Sequence, residues 1–248
     1  MSLQRPWVAN RKIGIFLKIG VILSSISAIV FQSFEPNFKG FAPIFKAFTI
    51  QSNLWIATIC LVFLILILRG RDERSLPTWL YNVKFMLTVD ITLTYLVFAV
   101  LLTPLMSLRF LTSPANFFQH NLTSILALLD FILCDRPQAS KAKHVWLSLI
   151  MPLAYGVYFL GTYELTGIMP VAYFFLDYKK LGWFMLGGSG IGVGIWIIML
   201  CTLLIIIGLS ILKLKNGCQK KPLITSLATI VVMLGTSLIF LIIKTASS

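Results

Sequence analysis

Phe48-Thr49-Ile50-Gln51-Ser52-Asn53-Leu54-Trp55-Ile56-Ala57-Thr58-Ile59-Cys60-Leu61-Val62-Phe63-Leu64-Ile65-Leu66-Ile67-Leu68 runs for six turns of helix without a charged residue. A helix crossing a bilayer needs about 20 mostly apolar residues, because every backbone N–H and C=O must be satisfied within the segment. The stretch Phe45–Leu68 meets that requirement, and its reading decides the fold. Outward from it, six further stretches qualify: Ile13–Phe34, Phe85–Met106, Asn116–Cys134, Val145–Glu164, Phe184–Leu212 and Leu223–Ile243. The expectation is an all-α polytopic transmembrane helix bundle of about seven spans, six should the first or last be miscounted. Its loops are too short for a separate soluble domain, so residues 1–248 read as a single integral-membrane domain.

Composition agrees. Of the 248 residues 58% are hydrophobic and 12% charged, and the mean hydropathy is +0.92, which excludes a water-soluble α/β enzyme. The formal charge of +13, from 21 Lys and Arg against 8 Asp and Glu, reads as membrane topology and not as a nucleic-acid partner. With the N-terminus inside, fourteen cations fall in inner segments and six in outer ones, with Lys18 inside the first span. Short loops rich in Lys and Arg stay cytoplasmic, so the count predicts N-in and C-out in the cell membrane. Arg5, Arg11 and Lys12 ahead of Ile13–Phe34 imitate a secretory signal. The stretch is long and lacks a small-x-small cleavage site, so it reads as a retained span.

The sixth stretch carries Gly187-Gly188-Ser189-Gly190-Ile191-Gly192-Val193-Gly194. Pairs four apart, Gly188 with Gly192 and Gly190 with Gly194, predict close helix packing. The four cysteines make no spaced metal or disulfide pair, and no metal or cofactor is expected.

Polar residues inside a membrane are expensive, so each is a candidate for function. The second span opens on Thr49, Gln51, Ser52 and Asn53. The third carries Asp90, and the fourth runs from Asn116 through His120 and Asn121 to Asp130. The fifth ends on Tyr163-Glu164. Spans two and four run in one direction and span five in the other, which brings Thr49, His120 and Glu164 to one depth, as a nucleophile, base and orienter require. Asp90 and Asp130 fall together toward the inner face. The structural alternatives are specific: a helical Thr bonds back to a carbonyl one turn earlier, and Gln51, Asn53 and Asn121 can join helices through their amides.

With these residues in place, the chain resembles the androgen-induced membrane protein family of intramembrane hydrolases, and more closely its bacterial multi-span relatives. The resemblance rests on Phe48-Thr49-Ile50-Gln51-Ser52-Asn53, on His120 with Asp130 ten residues later, and on Thr166-Gly167 through Pro170 to Phe175-Leu176-Asp177. It covers about residues 14–183 and leaves the spans within 184–243 as an extra part. The family's pattern around its histidine is similar to Asn-His-x-x-His-Thr. Here Asn116 is kept, Phe117 replaces the first His, and Asn121 follows His120. What the resemblance implies is hydrolysis of fatty acid esters, with Thr49 as nucleophile and His120 as base. The residues themselves add Gln51, Asn53 and Asn121 as donors to the oxyanion, and Glu164 and Asp130 as supporting carboxylates. The implied partner is a membrane lipid or acyl ester. The competing expectations are a transporter or proton-coupled channel using Asp90 and Asp130, and a non-catalytic membrane scaffold.

Overall fold

The computed structural model describes residues 9–35, 44–136, 139–187 and 190–246. Among the described residues seven helices are long and apolar enough to cross a membrane: α1 Arg11–Ser33, α2 Phe48–Leu68, α3 Thr78–Leu105, α4 Pro114–Cys134, α5 Ala142–Thr166, α6 Val193–Lys220 and α7 Pro222–Ala246. The protein is an all-α, multi-pass membrane bundle. We call the end where α2 and α4 begin and α5 finishes the Thr49 end, and the opposite one the Lys84 end.

Local chemistry fixes the boundaries. Asn10 caps α1 by accepting from the Ile13 N–H, and Ser113 caps α4 with Pro114 at its first position, where a missing N–H costs nothing. Gly167, at φ 72°, ends α5 in the left-handed conformation that favours glycine. α6 and α7 are separated by Lys221 alone and form a helical hairpin.

α3 and α4 lie at the centre, with 72% of the apolar window of each buried; α7 buries 11% and sits at the rim. α1 and α2 pack on the central pair from one side, and α6 with the first turns of α5 from the other. Lipid tails are as apolar as leucine, so association rests on packing and on polar contacts between helices. Val21, Ile56, Cys60, Phe63, Tyr81 and Ile91 fill the α1–α2–α3 contact. Phe85, Val89, Phe131, Leu204 and Ile207 fill the contact among α3, α4 and α6.

Three expectations are corrected. The third span begins at Thr78, not Phe85, which carries Lys84 from a loop into the helix. Lys215, counted among the inner loop cations, is likewise buried within α6. The glycine run is not helical at its start: Leu186 pairs with Ile191 and Gly187 with Gly190 in an antiparallel hairpin, and α6 starts only at Val193. The predicted pair of Gly188 with Gly192 falls partly outside the described residues. Gly192 still serves close approach, since a Cβ there would stand 2.6 Å from the Trp183 carbonyl oxygen.

Candidate functional site

At the Thr49 end, α2 starts at Phe48 after Ala47, whose backbone is extended and whose side chain caps nothing. Thr49 is therefore a first-turn residue. Helical threonines elsewhere bond back to a carbonyl one turn earlier, as Thr58 does to Leu54, Thr88 to Lys84, Thr92 to Thr88 and Thr94 to Asp90. Thr49 makes no such bond among the described residues. Its hydroxyl meets the Tyr173 hydroxyl at 3.5 Å, at the long limit of hydrogen bonding, although Thr49 is only 7% exposed.

Tyr173 comes from the segment following Gly167, which folds back over the bundle. Its ring stacks on Phe159 and Phe175 with centroids 6.1 and 5.5 Å away. Burial pushes the Tyr173 phenol above the usual tyrosine range, against the Thr49 hydroxyl and the first-turn N–H groups of Thr49 and Phe48, which pull the other way. The neighbouring Tyr155 hydroxyl donates to the Lys46 carbonyl at 2.9 Å.

These groups close the polar end of a cavity of about 220 Å³ between α5 and α6. Thr49, Thr94, Tyr155 and Tyr173 supply its hydroxyls; Leu153, Val157, Leu160, Ile197, Leu200 and Leu204 make its walls apolar. Val157 is 76% exposed on the outer surface, so the cavity opens sideways, toward the acyl chains of a surrounding bilayer.

His120 lies at the same end of the bundle, in a π-helical turn of α4 spanning Phe117–Leu122. Its ring stacks on Phe98, centroids 3.6 Å apart and 14° from parallel. Phe98 belongs to the π-helical turn Phe98–Leu102 of α3, and such turns recur at functional sites. The imidazole is buried, and its Nδ1 has no hydrogen-bond partner among the described residues. It lines a second cavity, of about 510 Å³, with Asn116, Asn121, Thr103 and Ser237.

The structure brings Thr49 and His120 to one end but not into contact. They line different cavities, with α3 in the wall of both: Val97 and Leu102 face the first, Phe98 and Ala99 the second. The closest link is Asn53, whose amide donates to the Thr49 carbonyl at 2.8 Å and to the Gln119 carbonyl at 3.1 Å. The other candidate amides are also engaged. Gln51 donates to the Phe45 carbonyl at 2.9 Å, and the Asn121 oxygen accepts from Ser237 at 2.6 Å. Glu164 is exposed and accepts from Tyr178. Asp177 accepts from Tyr163 and caps the turn Tyr178–Leu181.

Asp130 stands at the opposite end, inside an ionic network. Lys18 Nζ approaches Asp130 Oδ1 at 2.9 Å and Glu73 Oε1 at 2.6 Å; Lys84 Nζ approaches Asp130 Oδ2 at 2.7 Å and also binds Asp135. Glu73 precedes α3 in a short turn. Burial raises its carboxyl above the usual range, opposed by Lys18 and Lys84. Asp90 is fully buried in α3, and neither of its carboxylate oxygens has a partner among the described residues. No hydrogen bond joins it to Asp130 among the described residues. Nor do these residues hold a group of three His, Cys, Asp or Glu arranged for a metal ion.

Sequence reasoning missed Tyr173 and the two lysines. Tyr173 follows no helical period, and its only signal was its place within the third resemblance segment. Lys18 carried a signal, a cation inside a span that demands a buried carboxylate. Comparison with family models, curated proteins and solved structures finds no match to this chain.

Proposed function

We propose that this protein is an intramembrane hydrolase of lipid esters in which Thr49 is the nucleophile and His120 the base. The observation that carries the reading is the Thr49 hydroxyl, free of the usual back-bond, at the polar end of a sideways-opening apolar cavity. An acyl chain entering from the bilayer fits the walls, and its ester carbonyl then stands at Thr49. The three segments that resemble the hydrolase family also meet: Asn53 of the first bonds to Gln119 beside His120 of the second, and Thr49 meets Tyr173 of the third.

In the proposed reaction His120 takes the Thr49 proton, the Thr49 oxygen attacks the carbonyl carbon, and water later cleaves the acyl-threonine. His120 reaches Thr49 only if the α3 turn around Phe98 shifts. Catalytic hydrogen bonds often form only in the complex with substrate. The inner-segment cations support a cytoplasmic N-terminus and, with seven spans, an outer C-terminus in the cell membrane. The Thr49 end then faces outward.

The test is hydrolysis of 4-methylumbelliferyl heptanoate, with labelling by a fluorophosphonate, in native membranes and in mild detergent. Wild type and Thr49→Ser should hydrolyse and label; Thr49→Ala and His120→Ala should lose at least about 10³-fold. Absence of both signals in wild type, or full activity in Thr49→Ala, overturns the reading. One observation favours the second reading, proton-coupled transport: Asp90 is a buried carboxyl without a hydrogen-bond partner among the described residues. Proton-coupled uptake into vesicles that Asp90→Asn abolishes and Thr49→Ala leaves intact would establish it instead.

A further inference from the structure

We infer that Tyr173 is a catalytic residue of this site, its phenol donating a hydrogen bond to the oxyanion that forms when Thr49 attacks an ester carbonyl. This rests on the hydrolase reading and supplies the part that reading lacks. Acyl transfer gathers negative charge on the former carbonyl oxygen, and a low-dielectric site must meet it with donors already in place. Of the three amides that the sequence offers for this task, Gln51 donates to the Phe45 carbonyl and Asn53 to the Thr49 and Gln119 carbonyls, while Asn121 lines the other cavity, beside His120 and away from Thr49.

The hydroxyls of the cavity can be sorted in the same way. Thr94 donates to the Asp90 carbonyl and lies 3.0 Å from Ser52. Tyr155 donates to the Lys46 carbonyl. The Tyr173 hydroxyl meets the Thr49 hydroxyl at 3.5 Å and lies beside the Tyr155 hydroxyl, whose own proton goes to the Lys46 carbonyl. An oxyanion needs donors about 2.7–3.1 Å away. A phenol 3.5 Å from the attacking oxygen is within reach of the second oxygen on the carbon under attack.

Two further features suit the role. The ring is held between Phe159 and Phe175, so the donor does not have to be ordered at the moment of reaction. The phenol also stands at the first turn of α2, whose N–H groups favour negative charge nearby, as an oxyanion site requires.

The step balances without another reactant. The Thr49 oxygen bonds to the carbonyl carbon, and the C=O π pair moves onto oxygen, where it accepts from Tyr173. When that pair returns, the ester C–O bond breaks and the alcohol leaves with the proton first taken from Thr49. Tyr173 keeps its own proton throughout.

The experiment compares Tyr173→Phe with wild type and Thr49→Ala in the full chain, on 4-methylumbelliferyl heptanoate. Phenylalanine retains the ring and its stacking. The expected result is a kcat lower by about 10²–10³-fold with KM within about twofold of wild type, and an unchanged melting temperature in detergent. Wild-type kcat in Tyr173→Phe with Thr49→Ala inactive overturns the inference and leaves the hydrolase reading standing. A raised KM at unchanged kcat, or a fall in kcat matched by a lower melting temperature, also overturns it, because Tyr173 would then only shape the cavity. Activity in Thr49→Ala overturns both.

Discussion

Lys84 and Lys215 are both buried lysines near the same end of the bundle, and replacing each by methionine should have unequal consequences. Lys84 binds Asp130 and Asp135. Lys215 lies 4.1 Å over the Phe131 ring, with no hydrogen-bond partner among the described residues. Removing one partner of a buried ion pair costs about 3–5 kcal/mol, because the remaining charge stays buried. Lys84→Met leaves Asp135 without its lysine and Asp130 with Lys18 alone. Polar interactions in membrane bundles run weaker than in water-soluble cores, so the lower end, about 3 kcal/mol, is expected. At about 2–4 °C per kcal/mol for a chain of this size, the unfolding temperature should fall by about 6–12 °C. Lys215→Met strands no such partner and retains the stem's packing, so it should be neutral or stabilising, within about 1 kcal/mol. Cys60, Cys134 and Cys218 are free and buried while Cys201 is partly exposed, so in a Cys201→Ser background a thiol-reactive fluorophore reports unfolding in detergent. The double variant Lys84→Met with Asp135→Asn should recover part of the loss. Equal shifts for the two lysine variants would refute the argument, since they would show that the network adds nothing beyond packing.

Four other outcomes are expected. Gly192→Ala forces a Cβ against the Trp183 carbonyl and should cost about 1–3 kcal/mol, read by the same thermal assay. Ser237→Ala removes the bond to Asn121 that ties α7 to α4 and should cost about 0.6 kcal/mol, leaving the fold intact by circular dichroism. Phe98→Leu loses the stack on His120, worth about 0.5–1.5 kcal/mol, and should raise ester turnover by up to about tenfold if that stack holds the base away from Thr49. Because burial holds the Tyr173 phenol above its usual range, it keeps its donor proton where a free tyrosine begins to lose it. A pH–rate profile should accordingly show no tyrosine-dependent decline between pH 7 and 10.

The spans were legible because apolar length is a property of the chain alone. Where the reading of α3 failed, at Thr78–Lys84, hydropathy took a lysine for a loop. Lys84 is tolerated inside because Asp130 and Asp135 arrive from α4 and the turn beyond it, a pairing across helices that no window along one helix contains. The glycine run misled for a related reason: spacing of four fits a packed helix, yet positive φ at Gly187 and Gly190 serves a hairpin. Thr49 and His120 reach the same end because depth follows from direction and count. Their rotation about the helix axes does not, and α3 stands in the wall of both cavities.

Among the described residues both ends of the bundle hold buried polar atoms without a hydrogen bond, Lys215 Nζ and Asp135 Oδ2 at the Lys84 end included, and what sets the Thr49 end apart is that its uncommitted groups line two cavities. At the Lys84 end, both oxygens of Asp130 are taken by lysines, and two lysines draw three carboxylates together. Such a network fixes helix register and offers a substrate little to bind. At the Thr49 end, the Thr49 hydroxyl, His120 Nδ1 and Asn116 Oδ1 are nearly or wholly without partners among the described residues, and each belongs to a residue lining a cavity. An unsatisfied buried polar atom costs about 1–3 kcal/mol, and within hydrocarbon no solvent offsets it. A fold under no demand but stability would replace these groups with apolar ones, as it has beside Thr49 along the walls of its cavity at Leu153, Val157 and Leu160. The uncommitted polar groups that line the cavities are therefore the ones to substitute first, and on the proposed reading the Thr49 hydroxyl, at a cavity with apolar walls, is the one to test with an ester.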